Sequence, residues 1–113
     1  MNFTRLNGCL THWASCGHEG APAIVFANSL GTDLRIWDGV VGLLGSRYRT
    51  LTYDKRGHGL SQETPGPYTI DLLADDLLAL ADALGLERFA LVGLSVGGLI
   101  AQAVAVRAPA RLS

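Results

Sequence analysis

Gly93-Leu94-Ser95-Val96-Gly97 sets a serine between two glycines in a G-x-S-x-G pattern. A serine held on a sharp strand-to-helix turn exposes its hydroxyl for attack on an acyl carbon. Glycines two residues to either side let the helix and the neighbouring strand approach without Cβ clashes. A helix that opens at Val96 aims its N-terminal dipole and free N–H groups at any oxyanion formed there. In a chain with 14 glycines such a pattern arises by chance in roughly one case in ten, so its setting decides. The apolar run Phe89-Ala90-Leu91-Val92 precedes it and a helical pattern over 96–107 comes after, ended by Pro109. That is the strand–turn–helix context the chemistry needs. Ser95 is therefore the candidate nucleophile, with the Val96 N–H as one oxyanion donor. The second donor is expected from the loop Asn28-Ser29-Leu30-Gly31, as the Leu30 N–H. Ser29 and Arg35 are candidates to touch the substrate, although Arg35 also reads as a solvated helix residue.

Three loops must bring these groups together. Residues 2–7 and 9–16 read as a β-hairpin turning at Asn7-Gly8. Ala23-Ile24-Val25-Phe26-Ala27 and Tyr48 to Tyr53 are apolar runs without alternation, as in strands buried on both faces. Ile36, Trp37, Val40, Val41 and Leu44 recur at helical spacing, with Thr32 or Asp33 as the cap. The clearest helix spans 70–84, capped by Thr69 and stopped by Gly85. Strands alternating with helices imply an α/β fold: a mostly parallel sheet started by an antiparallel hairpin, with helices on both faces. Ligands gather at the carboxyl ends of such strands, here loops 28–31, 54–60 and 93–97.

Composition narrows the field. Of 113 residues, 49% are hydrophobic and 17% charged, which excludes disorder for most of the chain. A net charge of −1, with Lys55 the single lysine, leaves no basic surface for nucleic acid. Cys9 and Cys16 on one strand lie about 23 Å apart, too far to bridge. Two free thiols, with no secretory pattern at the N-terminus, suit the cytoplasm. The uncharged stretch from Phe89 to Val106, between Arg88 and Arg107, is long enough for a marginal membrane helix. Its glycines, Ser95 and Gln102 fit the turn-and-helix reading better, so no membrane partner is expected. A non-catalytic module that assembles through its sheet edge is the alternative outside enzymes.

Taken together, Asp54-Lys55-Arg56-Gly57-His58-Gly59-Leu60-Ser61 and Gly93 to Gly98 resemble the D-x-R-G-x-G-x-S loop and the elbow of the α/β-hydrolase family. The run Asn28 to Trp37 resembles one branch of it, the 3-oxoadipate enol-lactonases of aromatic breakdown. The resemblance implies a serine hydrolase of a small ester or lactone, without metal or cofactor. It implies that Asp54, Arg56 and His58 hold their loop rather than react, and that Trp37 is core. His12 and His18, in the hairpin region, fall away from the site on this reading. The family order is Ser, then acid, then His, yet only Arg107 and Arg111 are charged beyond Ser95. The expectation is therefore a single incomplete domain, 1–113, carrying the nucleophile and oxyanion donors of the N-terminal half. Its sheet edge at 88–93 would be covered by a C-terminal half or a second copy. Alone, without a base, it would be nearly inactive.

Overall fold

Asn7 and Gly8 both take positive φ, 49° and 75°, the conformation of a type I′ turn. They join strands β1 (Asn2–Leu6) and β2 (Cys9–Cys16) in register, Leu6 opposite Cys9 and Asn2 opposite Trp13. The structure is a computed structural model and describes residues 2–113. Three further strands complete the sheet, β3 (Ala23–Ala27), β4 (Arg49–Tyr53) and β5 (Ala90–Gly93). The sheet order is β1-β2-β4-β3-β5. β2 pairs antiparallel with β4, while β4 and β5 flank β3 in parallel. The hairpin thus opens a sheet whose three apolar strands are parallel, and their carboxyl ends share one edge.

Side-chain alternation along β3 divides the two faces. Val25 and Ala27 join Leu51 and Tyr53 in a core with helices α2 (Ile70–Ala83) and α3 (Val96–Arg107). Phe26 points the other way and meets Trp37, ring centroids 4.9 Å apart. The α2 side carries the main core: Leu73, Ala74, Leu77, Leu80 and Ala81 are buried with Phe89, Ile100 and Val104. Each fully buried leucine there contributes about 1.5–3 kcal/mol. Thr69 caps α2 by accepting the Leu72 N–H at 3.0 Å, and Gly85 ends it at φ 71°.

The helix expected after β3 is broken in two. Asp33 caps a 3-10 turn, Leu34–Trp37, which runs into a short α1, Asp38–Leu44. Trp37 is pinned on Phe26, and Gly39 and Gly42 lower the helix propensity of α1. α1 buries no residue and leaves Leu43 exposed. The uncharged 89–106 stretch is strand β5, a turn and α3, and among the described residues no helix is long and apolar enough to cross a membrane. β5 lies at the sheet edge with Val92 40% exposed. A single parallel bridge joins Phe89 to Leu112 beyond it.

Candidate active site

The turn after β5 is shaped by what its residues lack. Leu94 N–H donates to the Ala27 carbonyl at 3.1 Å, tying the turn to the end of β3. Ser95 sits at φ 57°, ψ −118°, a conformation that costs an L-residue about 1–3 kcal/mol. A Cβ on Gly93 would lie 2.3 Å from the Gly97 carbonyl oxygen, and one on Gly97 2.0 Å from the Ala27 oxygen. Both clashes are with backbone, so only glycine lets α3 start this close to β3. Ser95 is exposed, and its hydroxyl has no hydrogen-bond partner among the described residues. The Val96 N–H, at the first position of α3, has none either.

Across from this turn, loop 28–33 is fixed from several sides. Asn28 is fully buried, and its Oδ1 accepts the Trp37 indole N–H at 2.7 Å. The Ser29 carbonyl accepts from Lys55 Nζ and from Thr32 Oγ1, both at 2.8 Å. The Ser29 hydroxyl is engaged with Thr32 Oγ1 at 3.2 Å. Leu30 extends a 68% exposed side chain, and its N–H has no acceptor among the described residues. Arg35 forks onto Asp33 (Nε–Oδ1 3.0 Å, Nη2–Oδ2 2.8 Å) in an exposed pair. The hydrogen bond from Arg35 holds the Asp33 carboxyl down at about 2.

The loop after β4 is organised around Asp54. Its buried carboxylate accepts the Leu34 N–H at 2.8 Å, the Leu60 N–H at 2.9 Å and His12 Nδ1 at 2.8 Å. Gly59, at φ 50°, leaves the room: a Cβ there would sit 2.3 Å from Asp54 Oδ2. Ser61 closes the loop by donating to the Asp54 carbonyl at 2.6 Å and accepting the His12 N–H at 2.9 Å. Arg56 is buried and holds both oxygens of Asp76 at 2.7 Å, with further bonds to Thr64 and the Asn7 carbonyl. His58 Nδ1 lies 3.1 Å from the Arg56 carbonyl. Lys55 is 1% exposed; burial pushes its ammonium down to about 8, with Asp54 opposing the shift. Beside this cluster the Tyr53 hydroxyl is buried and unpartnered, its phenol raised by desolvation.

Ser95, Val96 and Leu30 thus sit on adjacent strand ends with their polar groups unspent. His18 stays on an exposed loop, its ring accepting the Gly20 N–H. His12 reaches across from β2 to Asp54, a contact not foreseen from sequence, and lines a cleft of about 520 Å³ with Asp33, Leu34, Arg35, Gly59 and Leu60. It still lies three strand spacings from β5, about 14 Å, beyond reach of Ser95. Lys55 and Asp76 were not singled out from sequence as parts of these networks. Asp76 did carry a signal, being a lone carboxylate on the apolar face of a helix. Lys55, beside a motif aspartate, carried none. Among the described residues no cluster of three or more His, Cys, Asp or Glu could hold a metal.

A family model described as alpha/beta hydrolase fold matches residues 22–113. The 3-oxoadipate enol-lactonase 2 of Acinetobacter baylyi is 39% identical over 102 residues, 90% of this chain and 38% of its own. A protein named putative carbamate hydrolase RutD in Caulobacter segnis is 35% identical, covering 88% of this chain and 37% of its own. The crystal structure of the enol-lactonase from Burkholderia xenovorans superposes with a TM-score of 0.96 at 43% identity, over 99% of this chain and 44% of its own. The chain spans about two fifths of the length of these relatives.

Proposed function

This chain belongs to the α/β-hydrolase family, and from that premise we propose that it carries the nucleophile and oxyanion donors of a serine hydrolase acting on 3-oxoadipate enol-lactone. The observation that carries this reading is Ser95 itself: exposed, held at φ 57° and flanked by the unengaged N–H groups of Val96 and Leu30. Ser95 Oγ attacks the lactone carbonyl while a base removes its proton. The two N–H groups stabilise the negative oxygen of the tetrahedral intermediate. Collapse breaks the ring C–O bond and expels an enolate, which takes up the proton and tautomerises to a ketone. Water then hydrolyses the acyl-serine to free acid and serine, leaving 3-oxoadipate.

The base is a histidine, oriented by a carboxylate, from outside these 113 residues. His12 and Asp54 are not that pair, because they are too far from Ser95 and Asp54 is committed to the loop. The polypeptide that brings the base, a C-terminal half or another chain, also covers the exposed edge of β5. Ser29 and Arg35 stand at the rim of the substrate space. Arg35 meets an anionic substrate only by leaving or sharing Asp33.

The substrate rests on the likeness to enol-lactonases. The likeness to the carbamate hydrolase supports a second reading, in which the same Ser95 attack meets a carbamate carbon. Turnover of the enol-lactone and of a simple carbamate by the full-length protein, each against Ser95→Ala, decides between them. Enol-lactone turnover that Ser95→Ala abolishes supports the proposal. Turnover of carbamate alone moves the substrate, and absence of phosphonate labelling at Ser95 with all partners present would leave a non-catalytic module.

A further inference from the structure

The Ser29–Leu30 peptide presents its two polar ends to different surroundings. Its N–H has no acceptor among the described residues, whereas its carbonyl accepts Lys55 Nζ and Thr32 Oγ1, both at 2.8 Å. In a trans peptide the C=O and N–H point in opposite directions, so whatever fixes the carbonyl also aims the N–H. Lys55 is the only lysine of the chain and is 1% exposed, and among the described residues the sole hydrogen-bond partner of its Nζ is this carbonyl. A buried ammonium is costly without compensation, and an apolar side chain of the same length would fill the space without that cost. The adjacent carboxylate, Asp54, is already taken by Leu34, Leu60 and His12, while Asp33 and Arg35 form their own exposed pair.

We propose that Lys55 is the positioning residue of the oxyanion site, aiming the Leu30 N–H through the Ser29 carbonyl and polarising that peptide with its positive charge. The inference rests on the assignment of Leu30 as an oxyanion donor. Charge drawn toward Nζ on the carbonyl side makes the N–H a stronger donor just where negative charge develops. Asp54, the one carboxylate acting on Lys55, favours the charged form, and burial opposes it.

Two measurements on the full-length protein test this. Lys55→Met, close in length but neutral, is expected to lower kcat roughly tenfold at unchanged KM, with Ser95 still labelled by a phosphonate. Losing one direct oxyanion donor costs about 10²–10³, and an indirect role falls below that. In the unaltered protein, the Ser29 carbonyl ¹³C and Leu30 amide ¹⁵N resonances are expected to titrate together near pH 8 as Lys55 loses its charge. This readout stands even where Lys55→Met fails to fold. A folded Lys55→Met with wild-type kcat, or resonances that do not move as Lys55 loses its charge, overturns the inference. Ser95→Ala separates it from the premise: lost turnover there with unchanged turnover in Lys55→Met rejects Lys55 alone, and retained turnover in Ser95→Ala rejects both.

Discussion

The turn at Gly93–Gly97 and the loop at Asp54–Ser61 leave parallel strands of one sheet at the same end, and they are held by opposite means. The loop is rich in charge, and nearly every polar atom in it is spoken for. Asp54 takes three donors, Arg56 grips Asp76, and Ser61 bonds back to the strand. The turn has almost no side-chain bonds and stands because two glycines let backbone touch backbone. Its serine is strained and exposed. A satisfied polar group is a poor reactant, since its lone pairs and protons are committed. The residues best supplied with partners, Asp54, Arg56 and His12, are therefore the framework, and the one with fewest is the candidate for chemistry.

The contrast between the two regions is sharpest at Ser95. Ser95→Ala is expected to lower kcat roughly 10⁴-fold or more in an ester-hydrolysis assay, with the melting temperature nearly unchanged. A variant that kept its activity would remove the turn from the site. Next, Gly97→Ala forces a Cβ into the Ala27 carbonyl and is expected to cost about 4 kcal/mol in urea denaturation. Gly59→Ala, at φ 50°, drives a Cβ into the pinned Asp54 carboxylate and is expected to be clearly destabilising as well.

Arg56→Ala tests the other region. It leaves the buried Asp76 carboxylate without its charged partner, with only Asn7 Nδ2 still donating, and breaking such a pair costs about 3 kcal/mol. The same denaturation curves will show whether that exceeds the effect of any substitution at Ser95. Ser95→Gly relieves the positive φ and is expected to gain about 1 kcal/mol while losing activity, a gain no residue of the bonded loop should offer. The smallest effect belongs to the exposed pair. The Asp33 carboxyl ionises at about 2 rather than 3.8, so its contribution is complete above pH 4 and fades as pH falls toward 2. Asp33→Asn keeps the cap but not the charge, so its difference in melting temperature from the parent should be full at pH 6 and much reduced at pH 2.

The features legible in the sequence alone were local. Asn7-Gly8 made a hairpin, Thr69 and Gly85 bounded α2, and Gly93 to Gly97 made a strand–turn–helix, because each depends on backbone dihedrals and periodicity within a few residues. The helix after β3 was legible as apolar spacing but not as a 3-10 turn and a short α1. Its geometry comes from Trp37 seating on Phe26 and Asn28, contacts made outside the helix. The strand order was not legible, since buried strands of similar composition carry no label for their neighbours. Only that order places β2 beside β4, and so His12 against Asp54, 42 residues away. It likewise brings Lys55 to Ser29 across 26 residues and Asn7 to Asp76 across 69. Spacing along the chain fixes which way a side chain points, whereas the partner it meets is set by which strands lie side by side.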